Sequence, residues 1–377
     1  MKRFTRTLPL LLTVVVLSLA SCKKQMQIKK EDLKDFEQVN LVDNNGAFGA
    51  AHTVGSMMNA WGLTFSPGGI AWVNAEAGHV SELFDKDGNT IRPPVGIPSP
   101  TGPTGGMPTG IVFNGTGQFR LSNGAGALFI FVGDDGVLSG WNGTIGPNAE
   151  LVKNNSATAS YFGLTMSSVG GLNYLYAADF KTGAIDVWDS AWNPVTSFPF
   201  KDPFLPASYS PFNIQVVDNW IVVNYAKVGA DGSEIHQVGL GLVDIFNPDG
   251  TFVRRFTSFG LLNSPWGIAM APPNFFEDTD NDANDAKIST GNSKLSSNNS
   301  EPIMLIGNFG DGHINAYSLD GEFIGQLRSD GKTLVIDGLW ALRFPPATAT
   351  AIDPNRLYFT AGPDEETNGL FGYLIKH

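Results

Sequence analysis

Four polar residues near the ends of repeated strand-like segments have side chains suited to metal or ligand binding. They are Asn74, Asp179, Asn224 and Asn308. Asp134 falls close to the same level of its own segment. Convergent carboxylate and amide oxygens are what Ca²⁺ or a small polar ligand requires, so these residues predict a polar ring at one opening. The same residue types also cap tight turns by bonding nearby backbone N–H groups, and this alternative stays open.

A second group of carboxylates resembles the start of a calcium-binding loop. Asp278, Asp280 and Asp282 alternate as such a loop requires. An EF-hand is excluded because Ala283 replaces the expected glycine and Ser289 replaces the glutamate at the twelfth position. The segment therefore predicts either a loose acidic loop that binds Ca²⁺ weakly or a solvated surface excursion.

Matches to catalytic motifs are few. The chain has five histidines but no H-E-x-x-H, G-x-S-x-G or Walker sequence. His52 precedes the first repeat and is a weak candidate for a general base near the same opening. An exposed or capping histidine is the alternative for this position.

Three tryptophans occupy the same place in three repeats, which suggests either carbohydrate stacking or packing between structural units. They are Trp61, Trp266 and Trp340. In a strand with a two-residue period, Trp266 shares a face with the apolar Ile268 and Met270. This alternation favours packing.

The N-terminus has the features of an export signal. A basic tip precedes an apolar run, and residues 19–22 read Leu-Ala-Ser-Cys. These four residues resemble the bacterial lipobox, in which the cysteine is acylated and becomes the new N-terminus. Residues 1–21 are then a signal peptide and Cys22, the sole cysteine of the chain, is the lipidation site. Residues 22–38 are predicted to be a tether, and Lys23 in place of aspartate favours an outer-membrane location in the cell envelope.

The charge limits the possible partners. The formal net charge is −12, and loss of the basic signal peptide makes the chain more negative. An acidic surface repels phosphate backbones and anionic lipid headgroups, so nucleic-acid binding is excluded as a leading function. Attachment to a membrane must then depend on the lipid.

One pattern recurs six times and predicts an all-β fold. It is a short strand that opens with a small residue after an aromatic residue or a proline, at residues 60–66, 108–114, 161–167, 211–217, 265–271 and 339–345. A second and third strand follow each of them, and a fourth follows most. Four strands at intervals of roughly 50 residues predict a six-bladed β-propeller with four-stranded blades.

The two ends of the chain complete this pattern. The chain ends after the third strand of the sixth unit, and residues 38–44 have the character of the missing strand. The last blade is therefore predicted to be closed by an N-terminal strand, which removes a free sheet edge. The propeller domain is assigned to residues 39–377, with an acidic insertion at about 274–301 in blade five.

A family resemblance supports this fold. The segment YAADFKTGAIDVWD at 176–189 resembles the NHL-type propeller repeat. Together with PTG, PFNI, NSPWGI, GNFGDG and LYFTAGP, it resembles an uncharacterised family of secreted bacterial six-bladed propellers. The resemblance implies the fold and no established activity.

These observations lead to two functional hypotheses. The first is a monomeric, lipid-anchored, non-catalytic scaffold that binds an unknown protein or small polar ligand. The alternative is a Ca²⁺-dependent hydrolase of the lactonase type with its site at the channel mouth. That alternative needs glutamate, asparagine or aspartate side chains that converge on the axis. The four ring residues can supply amides and one carboxylate, but the inner turns offer no well-placed glutamate. A quinone-dependent dehydrogenase ranks last because no cofactor signature is present.

Overall fold

A computed structural model describes residues 27–272, 274–277 and 301–377, and this part of the chain is almost entirely β-structure. Its one helix is a 3₁₀ turn at Lys30–Asp32. Within the described ranges, no helix has the length and apolar character needed to cross a membrane. The predicted signal peptide, Cys22 and the predicted calcium loop (Asp278, Asp280 and Asp282) lie outside the described residues.

The strands are numbered in chain order. β1 (Phe36–Asp43) and β2 (His52–Thr53) precede the repeats. Blade one contains β3 (Ala60–Phe65), β4 (Ala71–Ala75), β5 (Val80–Phe84) and β6 (Val95–Gly96), followed by the hairpin β7 (Pro98–Ser99) and β8 (Gly102–Gly105). Blade two contains β9 (Pro108–Phe113), β10 (Phe129–Gly133), β11 (Val137–Trp141) and β12 (Glu150–Asn154). Blade three contains β13 (Tyr161–Val169), β14 (Leu172–Asp179) and β15 (Ala184–Asp189).

The second half of the chain forms three further blades. Blade four contains β16 (Tyr209–Val217), β17 (Trp220–Lys227), β18 (Gly241–Phe246) and β19 (Phe252–Ser258). Blade five contains β20 (Pro265–Ala271), β21 (Ile303–Asn308), β22 (Ile314–Ser318) and β23 (Phe323–Gln326), followed by the hairpin β24 (Arg328–Ser329) and β25 (Lys332–Thr333). Blade six contains β26 (Leu339–Arg343), β27 (Leu357–Ala361) and β28 (Leu370–Lys376).

The blades form a closed ring. The first strand of each blade, its inner strand, contacts the inner strands of both neighbours, in the cycle β3, β9, β13, β16, β20, β26 and back to β3. β1 pairs antiparallel with β28, from Phe36 opposite Lys376 to Asp43 opposite Leu370, and supplies the fourth strand of blade six. The six-bladed fold and its closure by an N-terminal strand are confirmed. Closure leaves no unpaired strand at the junction of the two termini.

Two local features differ from the prediction. Blade three has three strands rather than four. Part of the predicted tether packs on the propeller, because Leu33 and Phe36 are buried in a cluster with residues of blades five and six. The Leu33 carbonyl also accepts a hydrogen bond of 2.8 Å from the Arg328 N–H. Two apolar residues in a charged segment are sufficient to fix it when a neighbouring blade offers a matching surface.

All six inner strands contain a β-bulge at the same place. In blade five the pairing shifts by one residue between Pro265 and Gly267, and the other five blades shift at the equivalent position. A bulge redirects a side chain, and here it redirects the residue that precedes the small residue of the repeat, such as Trp266 in blade five. The small residue after it lets neighbouring inner strands approach, since a Cβ added to Gly62 would lie 2.0 Å from the Thr109 carbonyl oxygen. The repeated aromatic–small dipeptide therefore specifies both channel filling and blade spacing.

Candidate functional site

Aromatic side chains fill the axis of the propeller at one end. This axial aromatic cluster consists of Trp61, Phe162, Phe180, Phe212, Trp266, Phe309 and Trp340. Trp340 stacks on Trp61 at 3.6 Å and on Phe309 at 3.8 Å between ring centroids. Contacts also join blades that are not adjacent, as between Trp61 of blade one and Phe162 of blade three. Such contacts require the side chains to cross the axis, so the cluster closes the channel.

The inner strands are also close together further along the axis, past the aromatic cluster. Residues from all six of them line a cavity of only about 20 Å³, roughly the space of one water molecule. Blade two is the exception in the aromatic pattern, because Thr109 occupies the position of Trp61 and Trp340. The accessible surface at this end of the axis is therefore the face above the aromatic cluster.

Five carboxylates gather on that face, in turns that follow the second strands of four blades. We call them the acidic mouth: Glu76, Asp134, Asp135, Glu234 and Glu366. The start of an inner strand and the end of the antiparallel second strand lie on one face, which explains why different blades contribute to one site. In the described ranges none of the five forms an ion pair with a lysine or arginine. Glu234 lies 3.3 Å from His236 Nε2, and its hydrogen bond raises the pKa of that histidine. The other four carboxylates keep the mouth acidic.

Asn59 connects the acidic mouth to the aromatic cluster. Its Nδ2 donates to Glu76 Oε2 at 3.0 Å and to Glu366 Oε2 at 2.9 Å. Its Oδ1 accepts from the Trp340 indole N–H at 2.9 Å. One buried amide therefore fixes two carboxylates from blades one and six against the closed channel.

Burial and mutual repulsion alter the protonation of these groups. Burial, followed by the charges of Glu76 and Asp135, raises the pKa of Asp134 to about 8. Burial and the charges of Glu234 and Glu76 raise the pKa of Glu366 to about 7. Burial also raises the pKa of Glu76. Carboxyls that hold protons near neutral pH are typical of functional sites rather than of ordinary surface acids.

Two oxygens of the mouth lack a partner. Glu76 Oε1 and Asp134 Oδ1 are buried and accept no hydrogen bond from the described part of the chain. An unsatisfied buried oxygen is costly, and each of these oxygens can accept a hydrogen bond from an added cationic donor. The arrangement suits a ligand that carries positive charge and hydrogen-bond donors.

The backbone around the mouth is strained. Asp364, Glu365 and Glu366 are three consecutive residues with positive φ, at 55°, 55° and 65°. Asn59 and His79 also have positive φ, at 46° and 63°. Such conformations disfavour residues other than glycine and cluster at functional sites, where the surrounding structure over-determines them. Here the strain directs the Glu366 carboxylate toward Asn59.

A pocket of about 330 Å³ opens on the same face between blades three and four. Phe162 and Phe180 of the aromatic cluster contribute to its lining, together with Lys181 and Asp231. Next to the cluster, the His236 ring contacts Phe309 edge-on at 5.0 Å. The acidic mouth therefore borders an accessible aromatic surface.

The predicted polar ring does not form, because its members bond to different parts of the backbone. Asn74 Nδ2 donates to the Thr109 carbonyl at 3.1 Å, and Asn224 Nδ2 donates to the Trp266 carbonyl at 3.2 Å. Thr360 occupies the equivalent place and donates to the Trp61 carbonyl. Each side chain thus links the second strand of one blade to the inner strand of the next.

The other two predicted members secure turns. Asp179 accepts from the backbone N–H groups of Ser160, Lys181 and Thr182 and from the Thr182 hydroxyl at 2.6 Å. Asn308 Nδ2 donates to the Leu261 carbonyl at 2.8 Å and to Asp311 Oδ1 at 3.0 Å. These contacts match the turn-capping alternative.

The remaining predicted residues are placed as follows. His52 lies in β2, the outermost strand of the closing sheet, where its Nε2 is 3.2 Å from the Asp87 carbonyl, so its predicted location near the mouth is wrong. Trp61, Trp266 and Trp340 are packed. Trp61 shares its cluster with Leu63 and Phe65, as the two-residue period predicts. That period does not explain the packing of Trp266, because the bulge separates it from the cluster that contains Ile268.

Sequence reasoning missed Glu76, one of the central residues of the site. Glu76 follows β4 directly and is a well-placed glutamate in an inner turn, contrary to the expectation. For Asp134 the sequence predicts only a position close to the level of the polar ring. The available signal was an acidic residue one position beyond the second strand in blades one and two.

The arrangement of acidic, amide and histidine side chains bears on metal binding. Across residues 27–272, 274–277 and 301–377, the histidines, aspartates and glutamates form no group of three placed to hold a metal ion. Asn74 and Asn224 belong to blades one and four, and each is bonded into a different blade junction. These residues do not fit a shared calcium site.

The closed ring of six sheets defines the class: the protein is a six-bladed β-propeller. It is similar in fold to an α-L-arabinofuranosidase of Fusarium graminearum (TM-score 0.53, 11% identity, 91% of this chain and 98% of that chain). It is also similar to an α-L-arabinanase of Penicillium chrysogenum (TM-score 0.52, 13% identity, 90% and 97%). A third similar structure is a protein of unknown function from Bacteroides thetaiotaomicron (TM-score 0.53, 10% identity, 90% and 76%). At these identities the similarity concerns the fold alone.

Sequence relatives then define the family. Two uncharacterised proteins of Acanthamoeba polyphaga mimivirus are 33% and 32% identical over 352 and 355 residues, covering 90% of this chain and 80% and 86% of the relatives. The chain belongs to the family of these uncharacterised proteins. No protein-family model matches the sequence. The resemblance to secreted bacterial propellers holds for the fold, whereas these relatives are viral.

Proposed function

We propose that this protein is a non-catalytic binding propeller whose acidic mouth holds a protonated amine or guanidinium group of a small ligand or partner protein. The observation that carries the proposal is Asn59, which holds Glu76 and Glu366 together although neither carboxylate forms an ion pair with a lysine or arginine in the described ranges. Holding two carboxylates in one site is unfavourable unless a proton or another positive group joins them, and the raised pKa of Glu366 reflects this. A bound cation would relieve this repulsion.

The surroundings favour an organic cation. The unpartnered oxygens of Glu76 and Asp134 can accept N–H donors, and a guanidinium or ammonium group supplies several of these. The neighbouring pocket, with Phe162 and Phe180 in its lining, can receive the apolar part of the same ligand. The closed channel limits binding to this face.

A matched pair of variants tests the proposal. Glu366→Gln keeps an oxygen that accepts from Asn59 but removes the charge, so the affinity for arginine amide is expected to fall about tenfold or more. Glu365→Gln removes an exposed charge from the same loop and is expected to change the affinity less than about twofold. Isothermal titration calorimetry at low salt measures both. Equal affinities for the two variants would contradict the proposal.

The calcium-dependent lactonase-type hydrolase is the second candidate. The observation in its favour is that Asn74, Asn224 and Asn308 each keep a buried Oδ1 without a hydrogen bond. The placement of these amides in separate blade junctions weighs against it, so we derive no reaction step through calcium. Metal analysis of the purified domain, with thermal melts in Ca²⁺ and EDTA, distinguishes the two candidates.

We also propose that the propeller is attached to the cell envelope by a lipid at Cys22, with an outer-membrane location. The lipobox-like residues 19–22 support this proposal. Cys22→Ser is expected to abolish incorporation of labelled palmitate in a bacterial host and to release the protein from the membrane fraction. Ser21→Ala keeps a small residue before the cysteine and serves as the control. Labelling that persists in Cys22→Ser would refute the anchor.

A further inference from the structure

Blade three has an incomplete outer edge. Its sheet contains only β13, β14 and β15, whereas each other blade has at least four strands. After β15 the chain pairs briefly, through Asp189 N–H to the Asn193 carbonyl at 2.9 Å and Val195 N–H to the Val187 carbonyl at 2.8 Å. It then leaves the edge toward blade four.

Aromatic contacts hold this departing segment away from β15. Phe198 packs on Tyr174 at 5.0 Å, and Phe200 packs on Phe246 of blade four at 5.4 Å between ring centroids. The Phe200 N–H donates to the Gly250 carbonyl at 3.0 Å. No backbone of the described residues therefore occupies the place of a fourth strand along the first half of β15.

The free half of β15 presents backbone hydrogen-bonding groups outward. Because the Val187 carbonyl bonds to the outer segment, residues two positions away along the strand also point outward. The N–H and C=O of Ile185 thus face away from β14 and have no backbone partner in the described chain. An unpaired strand edge of this kind is a template for another strand.

A groove of about 620 Å³ runs along this edge. β15 forms one wall, and Lys153 and Asn155 at the end of blade two contribute to its lining together with Phe198, Phe200 and Lys201. Ile185, Phe198 and Phe200 supply apolar surface that is only partly buried.

The charges in the groove favour an acidic occupant. Neither Lys153 nor Lys201 forms an ion pair in the described chain. The carboxylate in the lining, Asp186, already accepts a hydrogen bond of 2.7 Å from the Tyr161 hydroxyl. The charge of Lys153 also acts on Asp189 at the end of β15. Two ammonium groups without an ion pair in the described chain, on an otherwise acidic protein, favour negative charge in an occupant.

We propose that this edge groove binds an extended acidic peptide segment of a partner protein, which completes blade three as its fourth strand. The peptide exchanges backbone hydrogen bonds with Ile185, places alternate apolar side chains against Phe198 and Phe200, and directs its carboxylates to Lys153 and Lys201. This site lies on the outer rim and is independent of the acidic mouth.

The test uses a fluorescein-labelled peptide of alternating glutamate and valine, with a lysine–valine peptide as the charge control. Ile185→Pro removes the outward N–H, which has no internal partner, and proline is tolerated on such an edge. Its affinity for the acidic peptide is expected to fall about tenfold. Ile185→Val keeps the N–H and is expected to bind within about twofold of the parent protein.

Charge reversal provides a second readout. Lys153→Glu with Lys201→Glu is expected to weaken the acidic peptide about tenfold or more, whereas Lys332→Glu on the hairpin of blade five should have no effect. Thermal melts verify that all variants are folded. The proposal is overturned if the parent protein does not bind the acidic peptide, or if Ile185→Pro binds it normally. A dimer that Ile185→Pro dissociates would identify a second copy as the occupant and would equally overturn the proposal.

Discussion

Replacing Trp340 with alanine is expected to lower the free energy of unfolding by about 3–5 kcal/mol. Trp340 is fully buried and stacks on both Trp61 and Phe309, so its loss leaves a cavity at the point where several blades meet. The loss also removes the donor to Asn59 Oδ1. Denaturant unfolding followed by circular dichroism measures the change.

Two control variants separate the causes of this loss. Trp340→Phe retains an aromatic ring but not the N–H, and is expected to lose less stability than the alanine variant. Phe204→Ala removes a side chain that is 79% exposed and is expected to change stability by less than about 0.5 kcal/mol. If Trp340→Ala is no less stable than Phe204→Ala, the aromatic cluster does not support the ring.

Asp134→Asn is expected to change how the stability depends on pH. The folded-state pKa of Asp134, about 8, lies above the ordinary value of 3.8. Its contribution to stability is therefore fully present below the ordinary pKa and is lost as pH rises through about 8. Between the ordinary pKa of 3.8 and the folded-state pKa of about 8, the free energy of unfolding falls by about 1.4 kcal/mol for each pH unit. Asp134→Asn should lack this component and be more stable than the parent at about pH 9.

Unfolding curves between about pH 5 and pH 9 measure this effect. Glu366 and Glu76 act in the same direction, so the variant should retain part of the slope. Asp320→Asn alters an exposed carboxylate and should leave the slope unchanged. A slope in Asp134→Asn equal to that of the parent would show that Asp134 ionises normally in the folded protein.

The fold was predictable because its determinants are local and repeated. An aromatic residue followed by a small one appears at the start of most inner strands, and the structure explains this through the bulge at every such position. The closing strand was also predictable, since residues 38–44 have strand character and the sixth unit lacks a strand. Because the inner-strand pattern occurs six times, each repeat supports the same prediction.

The candidate site was less predictable because it depends on one-residue differences between blades. Ala75 and Asn308 lie opposite the equivalent residues Ala60 and Pro265 of their inner strands. Asn74 is therefore one position out of step with Asn308, although both precede a glycine by four residues. Alignment by the glycine placed them in one ring, while the pairing register directs Asn74 into a blade junction.

Contacts between distant segments also escaped prediction. Asn59 and Glu366 are separated by 307 positions, and only the closed ring brings them together. The positive φ angles that orient Glu366 occur at Asp364, Glu365 and Glu366 themselves, where sequence propensity argues against them. Tertiary structure overrides local preference at this site.

Proton release on ligand binding tests the account most directly. Asp134, with a pKa of about 8, and Glu366, with a pKa of about 7, hold protons in part at neutral pH. A cation in the acidic mouth favours their charged forms, so binding of arginine amide at about pH 7 should release about one proton. Calorimetry in two buffers of different ionisation enthalpy measures this number. Proton release that falls in Asp134→Asn is the predicted result, and binding without proton release would contradict the account.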